Sequence, residues 1–260
     1  MKQLRINRII GADGKSVIIA FDHAGFMGPM PGLERPGKLL EDLSTSGVDA
    51  VLTTIGVVRR YSDKFGKLGL ILRADGGSSI KGPQTGSIHR LFSIEDAARL
   101  GADAVICMGM IGFPEEPSSL QNLASLCAES CTWNIPVIAE MLVNSKDGNE
   151  VTPEDLGFAM RIGIELGADL IKAPFAPPAD RYQKALASCY RPTVVLGGAK
   201  MNEESCLFEN VKTALDAGAA GVAIGRNVWQ HPDPVGMCRA LAALVHGGAS
   251  INGAMKELKG

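Results

Sequence analysis

The sequence repeats a junction at Leu100-Gly101-Ala102-Asp103-Ala104-Val105 and at Leu166-Gly167-Ala168-Asp169-Leu170-Ile171. In both copies a glycine closes an amphipathic stretch, and an apolar run follows within three residues. Glycine is the usual residue just past the C-terminus of a helix, so the pattern predicts a helix followed directly by a buried strand. Related junctions occur at residues 46–51 and 217–222. The spacing between successive junctions corresponds to about two βα units.

Eight short apolar runs predict eight strands. They cover Val17–Phe21, Ala50–Thr54, Leu70–Ala74, Ala104–Met108, Pro136–Met141, Leu170–Ala173, Thr193–Leu196 and Gly221–Ile224. Continuous runs of Val, Ile and Leu are typical of parallel strands that are buried on both faces. Eight such strands alternating with helices in 260 residues predict an α/β protein, a single (β/α)8 TIM barrel over residues 1–260. A doubly wound open sheet is the alternative.

The composition argues against several classes of partner. The chain has 26 basic and 28 acidic residues and only 5% aromatic residues, so we expect no nucleic-acid partner. No apolar run approaches the roughly 18 residues that span a bilayer, and we expect a cytoplasmic protein with no membrane partner. The 6 cysteines and 4 histidines are scattered, without a C-x-x-C pair. We therefore expect no metal site and no bound cofactor.

The active sites of α/β barrels lie at the C-terminal ends of the strands, where Lys172 is the least ordinary residue. It ends the sixth predicted strand with apolar neighbours on both sides. Desolvation there would favour the neutral amine, which can attack a carbonyl group and form a Schiff base. The alternative is a structural lysine that pairs with Asp22 or Glu140.

Acidic side chains end two other predicted strands. Asp22 and His23 follow the first strand, before a loop rich in glycine and proline, and Glu140 lies at the end of the fifth. A carboxylate at this edge could move the proton of a hydroxyl group while a carbon–carbon bond breaks. Asp22 could equally cap its own loop, and a lone histidine such as His23 is more often structural than catalytic. Arg73 and Asp75 end the third strand, but the sequence assigns them no role.

Two glycine clusters follow the last two predicted strands. Gly197 and Gly198 come after the seventh strand, and Gly225 and Arg226 come after the eighth. In barrels of this kind, the loops at these two ends commonly bind a phosphate group through free backbone N–H groups. Arg226 would add a charge-assisted hydrogen bond. Glycines also occupy tight turns that bind no ligand, which is the alternative for both clusters.

At these residues the chain resembles the class I aldolases of the archaeal-type fructose-bisphosphate aldolase family. The resemblance covers nearly the whole length and is strongest at residues 20–23, 165–172, 197–200 and 221–230. It implies that Lys172 forms a Schiff base, that Asp22 acts as an acid or base, and that the glycine clusters bind a phosphate. It also implies a homo-oligomer, since relatives are often decamers of stacked pentamers.

One departure from the family concerns the proton donor. The fructose-bisphosphate aldolases carry a tyrosine just after the fifth strand, where the aligned residue here is Leu142. Leucine cannot transfer a proton, so another group such as Glu140 or His23 does so, or the reaction differs. A quorum-signal phosphate thiolase branch of the family also lacks the tyrosine. The chain resembles that branch at residues 26–29 and at residues 32–34, which follow them.

The expected function is therefore the reversible aldol cleavage of a phosphorylated ketose. The first expectation is fructose 1,6-bisphosphate, which would give dihydroxyacetone phosphate and glyceraldehyde 3-phosphate. One alternative is acyl transfer from a phosphorylated diketone to a thiol acceptor. A barrel that binds phosphosugars without catalysis and a metal-dependent aldolase are the others.

Overall fold

The computed structural model describes residues 2–82, 87–145, 150–201 and 203–260. In chain order its strands are β1 (Ser16–Ala20), β2 (Ala50–Thr53), β3 (Gly69–Arg73), β4 (Asp75–Gly76), β5 (His89–Arg90), β6 (Ala104–Ile111), β7 (Val137–Val143), β8 (Leu170–Ala173), β9 (Thr193–Leu196) and β10 (Gly221–Ile224). Strands β4 and β5 form a separate antiparallel hairpin. The other strands close into a parallel barrel in the order β1, β2, β3, β6, β7, β8, β9 and β10. The predicted TIM barrel is confirmed.

Helices connect the strands of the barrel. They are α1 (Lys2–Ile6), α2 (Ala24–Met27), α3 (Pro36–Leu43), α4 (Ile55–Tyr61), α5 (Ile94–Arg99), α6 (Glu116–Trp133), α7 (Pro153–Glu165), α8 (Ala179–Ala187), α9 (Glu204–Asp216), α10 (Arg226–Trp229), α11 (Pro234–Val245) and α12 (Ile251–Lys259). Capping boxes at Ser93 and Thr152 begin α5 and α7, because each side chain accepts the backbone N–H three residues on. Within the described ranges, no helix is long and apolar enough to cross a membrane.

The repeated junctions determine where neighbouring strands begin. Gly101 and Gly167 end their helices at φ angles of 74° and 105°, in the left-handed region that favours glycine. The aspartate two residues further on then accepts a backbone hydrogen bond from the preceding strand of the ring. Asp103 accepts from Leu70 N at 2.9 Å, and Asp169 accepts from Val137 N at 3.0 Å. Each junction thus ties two adjacent strands together at their N-terminal ends.

The same aspartates also bind cations at the N-terminal end of the barrel, which we call the floor. Lys2 of α1 lies 2.8 Å from Asp169, and Arg8 lies 3.3 Å from Asp103. Ile9, between these contacts and β1, is buried against the inner core of the barrel. Residues 2–10 therefore close the floor, opposite the end where the predicted site residues lie.

Asp49 is the aspartate of the junction at residues 46–51, and its contact with His246 leads us to expect a pH-dependent contribution to stability. Hydrogen bonds from His246 to Asp49 and Asp13 raise the pKa of His246 to about 9, from an ordinary 6.5. A group whose pKa is raised by folding stabilises the folded state below its unfolded pKa, and this contribution is lost as the pH rises through the folded value. At pH 6 we expect the unfolding free energy of the wild type to be higher than that of His246→Gln. At pH 10 we expect this difference to be smaller. Urea unfolding at both pH values measures the difference, and a constant difference would contradict this origin.

The barrel interior is layered. Its inner core contains Ala20, Ile71, Ile138 and Leu170, from four different strands. Side chains alternate along a strand, so the next inward position on each lies two residues towards the C-terminal end. Those positions hold Asp22, Arg73, Glu140 and Lys172. The apolar interior therefore gives way to a charged layer at the mouth of the barrel.

Candidate active site

Arg73 lies at the centre of a buried group that we call the charged cluster, made of Asp22, Arg73, Asp75, Glu140 and Lys172. Its Nε donates to Asp22 Oδ2 at 2.8 Å and its Nη1 donates to Asp75 Oδ1 at 3.1 Å. Nη2 donates to Glu140 Oε2. The other carboxylate oxygen of Glu140 lies 2.6 Å from Lys172 Nζ. Three residues expected at separate strand ends thus belong to one network.

Backbone register holds the members of the charged cluster in place. Glu140 on β7 and Lys172 on β8 are direct partners across the sheet, so their side chains leave it side by side. Asp75, just past β3, accepts the backbone N–H of Met108 at 2.7 Å with its second carboxylate oxygen. Asp75 therefore fixes Arg73 against the neighbouring strand β6.

Charge pairing keeps three members of the cluster, Asp22, Glu140 and Arg73, ionised despite their burial. Burial alone would raise the pKa of Asp22, but Arg73, His23 and Lys172 outweigh it and hold that pKa far below its ordinary value. Burial also opposes ionisation of Glu140, yet Lys172 and Arg73 lower the pKa of this carboxyl. Burial would lower the pKa of Arg73, whereas its carboxylate neighbours raise it well above the usual value. The mouth of the barrel thus holds buried, fixed charges, and burial strengthens their electrostatic interactions with a ligand.

His23 lies at the edge of the charged cluster. Its Nδ1 is 3.5 Å from Asp22 Oδ1, and among the described residues it has no hydrogen-bond partner. The ring packs against Phe26 and Trp229 with centroid distances of 5.8 and 5.5 Å. Trp229 is itself fixed, because its indole N–H donates to the backbone oxygen of Ala20 at 3.0 Å. His23 therefore contacts the cluster through Asp22 and borders the loop after β10.

The two glycine clusters lie on adjacent segments, namely the loop of residues 197–200 and residues 225–227 at the start of α10. We call these two segments the glycine loops. Asn227 joins them, since its Nδ2 donates to Gly197 O at 3.1 Å and to Ala199 O at 3.0 Å. Its Oδ1 accepts from Met201 N at 2.7 Å. In the ring order, β9 and β10 stand between β8, which carries Lys172, and β1, which precedes Asp22. The glycine loops are thus one unit between two candidate catalytic residues.

Space and conformation require glycine in these loops. Gly198 has a φ of 62°, and a Cβ at Gly225 would lie 2.5 Å from Ala20 O and 3.0 Å from His23 Cε1. Next to Gly225, the buried Nε of Arg226 has no hydrogen-bond partner among the described residues. A buried N–H without a partner is costly, so this donor is suited to an anionic ligand.

Because Asn227 joins the two glycine loops, we expect removal of its side-chain amide to destabilise the protein. Asn227→Ala would leave two carbonyl groups and one N–H group of the loop after β9 without their partner, and we expect the unfolding free energy to fall by about 1–3 kcal/mol. Asn252→Ala, at an exposed position of α12, is the matched control and should change little. Urea unfolding measures both, and equal effects of the two variants would contradict a joining role.

A family model matches most of the chain. The model of DeoC/LacD family aldolases matches residues 16–231, from the start of β1 to just past α10. The chain belongs to the DeoC/LacD aldolase family. The resemblance drawn from the sequence is thereby confirmed at the level of the family.

Relatives of this DeoC/LacD aldolase carry different names. The 2-amino-3,7-dideoxy-D-threo-hept-6-ulosonate synthase of Halobacterium salinarum is 32% identical over 254 residues, 98% of this chain and 95% of that protein. Fructose-bisphosphate aldolase class 1 of Thermoproteus tenax is 32% identical over 251 residues, 94% of each chain. A solved archaeal fructose-1,6-bisphosphate aldolase, with its catalytic lysine covalently bound to the carbinolamine intermediate of the substrate, is 30% identical. It matches with a TM-score of 0.85 over 95% of this chain and 100% of that chain.

Sequence reasoning gave no role to three residues that organise the site of this DeoC/LacD aldolase. Arg73 and Asp75 were visible only as polar residues after a strand, and Asn227 only as part of a glycine-containing loop. For Arg73 a usable signal existed, because it lies two residues beyond the inward-facing Ile71. For Asn227 no comparable signal existed, since its partners come from another loop.

Proposed function

We propose that this DeoC/LacD aldolase cleaves a phosphorylated ketose reversibly through a Schiff base on Lys172. The observation that carries the proposal is the 2.6 Å contact between the Lys172 amine and Glu140 in a buried, charged mouth. A carboxylate in this position can take a proton from the ammonium group and return it. The names of the fructose-bisphosphate aldolase relatives support the reaction class.

Schiff-base formation uses the Lys172–Glu140 pair twice. Glu140 accepts a proton from the Lys172 ammonium, and the free amine forms a bond to the ketone carbon while the carbonyl electrons move to oxygen. Proton transfer from nitrogen to that oxygen gives a carbinolamine. Glu140 then protonates the hydroxyl group, which leaves as water, so the products are a protonated imine and an ionised Glu140.

Asp22 is the proposed base for carbon–carbon cleavage. It accepts the proton of the C4 hydroxyl, the C4–O electrons form the aldehyde, and the C3–C4 electrons move into the imine to give an enamine. The proton returns to C3, and water hydrolyses the imine to release the second product. Arg73 keeps Asp22 ionised and oriented before this step.

The glycine loops are the proposed phosphate site. Backbone N–H groups of Gly197, Gly198 and Gly225, together with the unpaired Nε of Arg226, would hold the phosphate of the ketose. Binding at this site would turn the carbonyl towards Lys172 on the adjacent strand, converting binding energy into orientation.

A second candidate function is acyl transfer from a phosphorylated diketone to a thiol such as coenzyme A. The observation that favours it is Leu142, a residue without a transferable proton that is paired with Met110 in the register of β7 and β6. Acyl transfer would still use a Schiff base, so the two reactions differ in the bond broken after it forms. An assay for acyl-thioester formation distinguishes them from each other.

Borohydride trapping tests the proposed function. We expect incubation with dihydroxyacetone phosphate and sodium borohydride to inactivate the enzyme and to add one reduced adduct, which peptide mass analysis locates on Lys172. Lys184 on α8, outside the barrel, should stay unmodified. Aldol cleavage is followed with fructose 1,6-bisphosphate and fructose 1-phosphate as first substrates. An active enzyme without an adduct on Lys172 would refute the mechanism.

A further inference from the structure

The mouth of the barrel has two unlike halves. The glycine loops follow β9 and β10, which are the seventh and eighth strands of the ring. Directly across the ring lie the third and fourth strands, β3 and β6. A ketose whose phosphate occupies the glycine loops and whose carbonyl reaches Lys172 on β8 must therefore direct its far end towards β3 and β6.

A cavity of about 410 Å³ lies in that opposite half, beside Asp22 and Arg73. Apolar side chains from several elements line it, and we call them the apolar wall: Phe26, Ile55, Leu91, Phe92, Met108 and Met110. The hairpin of β4 and β5 explains how two of them arrive, since the N–H groups of Leu91 and Phe92 both donate to Ala74 O, at 2.8 and 3.1 Å. Ile80 N donates to Phe26 O at 3.1 Å and so ties the loop of the hairpin to α2. Backbone hydrogen bonds thus hold Phe26, Leu91 and Phe92 of the wall in place.

The charges around this cavity disfavour an anion. Among the described lining residues, three are carboxylates, namely Asp22, Asp75 and Glu115, and Arg73 is the one cation. Arg73 already donates to three carboxylates of the charged cluster. A phosphate at the far end of the substrate would therefore meet a net negative surface without an available guanidinium, which is unfavourable at short range.

We propose that the apolar wall is the acceptor subsite of the aldol reaction and takes an uncharged aldehyde with a short apolar chain. The substrate then carries a single phosphate, held at the glycine loops, and a bisphosphate is a poor substrate. This inference rests on the proposed function. It restricts the expected substrate to a ketose with one phosphate, whereas the sequence alone placed fructose 1,6-bisphosphate first.

Binding of ligands without a carbonyl group tests the subsite separately from the chemistry. Isothermal calorimetry compares propyl, butyl, pentyl and hexyl phosphate with hexane-1,6-diyl bisphosphate. We expect the affinity of the monophosphates to rise about fourfold for each added methylene that reaches the wall. We expect hexyl phosphate to bind at least tenfold more tightly than the bisphosphate. An affinity independent of chain length, or tighter binding of the bisphosphate, would overturn the proposal.

Variants at Met110 show whether the wall is responsible. Met110→Lys adds a cation to the wall and should raise the affinity for the bisphosphate relative to hexyl phosphate, whereas Met110→Leu should keep the wild-type order. Phe158→Lys, at a position 62% exposed on α7, adds the same charge away from the mouth and should change neither affinity. Urea unfolding establishes that each variant is folded. An unchanged ratio in a folded Met110→Lys variant would refute the assignment.

The trapping experiment separates the two proposals. An adduct of dihydroxyacetone phosphate on Lys172 combined with a preference for the bisphosphate would refute the subsite and leave the aldolase mechanism. The chain-length dependence without any adduct in active enzyme would support the subsite and refute the mechanism.

Discussion

Lys172→Arg is expected to fold normally and to lose aldol cleavage almost completely, with kcat lower by at least about 10⁴-fold, as for the removal of other covalent nucleophiles. A guanidinium group stays protonated and has no free electron pair with which to attack a carbonyl. The substitution keeps a positive charge beside Glu140, so the ion pair that Lys172 forms in the buried mouth is retained. The loss of kcat would therefore result from the missing nucleophilic amine and not from a changed charge.

Steady-state cleavage of fructose 1-phosphate measures the effect, and urea unfolding checks the fold. Lys184→Arg, on the outer helix α8, is the matched control and should keep wild-type kcat. The reduced adduct with dihydroxyacetone phosphate should also disappear in Lys172→Arg. A variant that keeps more than about 1% of wild-type kcat would show that the reaction proceeds without a covalent lysine intermediate.

Arg73→Leu is expected to cause the largest loss of stability, about 3–5 kcal/mol of unfolding free energy near neutral pH. Arg73 is 8% exposed and donates to Asp22, Asp75 and Glu140, so its removal leaves three buried carboxylates without the cation that they share. Arg73→Lys keeps the charge but cannot make three directed contacts, and it should lose less. Urea unfolding at pH 7 ranks the three proteins, and equal stabilities would contradict a central role for Arg73.

The pH dependence of this loss follows from the pKa shifts. In the wild type, Arg73 and its neighbours lower the pKa of Asp22 and of Glu140, which stabilises the folded state above the ordinary carboxyl pKa and is lost as the pH falls. Without Arg73, less opposes the effect of burial, so the pKa of each carboxyl would be higher than in the wild type and both groups would take up protons more readily in the folded state. The difference in unfolding free energy between wild type and Arg73→Leu should therefore be smaller at pH 4.5 than at pH 8. A difference that grows on acidification would contradict this account.

The barrel and half of the site could be predicted because they follow from local patterns. Apolar runs identify strands, and glycine marks the ends of helices, so the positions of Asp22, Glu140 and Lys172 at strand ends are readable from the chain. Their proximity also follows from the fold, since the C-terminal ends of the strands of a barrel meet at one mouth.

The remaining features depend on contacts between distant segments. The hairpin of β4 and β5 has two residues in each strand, too few for an alternating pattern. The joining role of Asn227 depends on carbonyl groups of another loop, and the apolar wall combines residues from the segments after β1, β2 and β3 and from β6. No periodicity in the sequence encodes such combinations.

The floor of the barrel determines how the enzyme can be attached to a surface. Lys2 and Arg8 hold the beginning of the chain against junction aspartates at the end opposite the mouth. A flexible linker fused before Lys2 would therefore leave from the far side of the molecule. Immobilised through that linker on a bead or an electrode, the protein would keep the mouth of its barrel facing the solution.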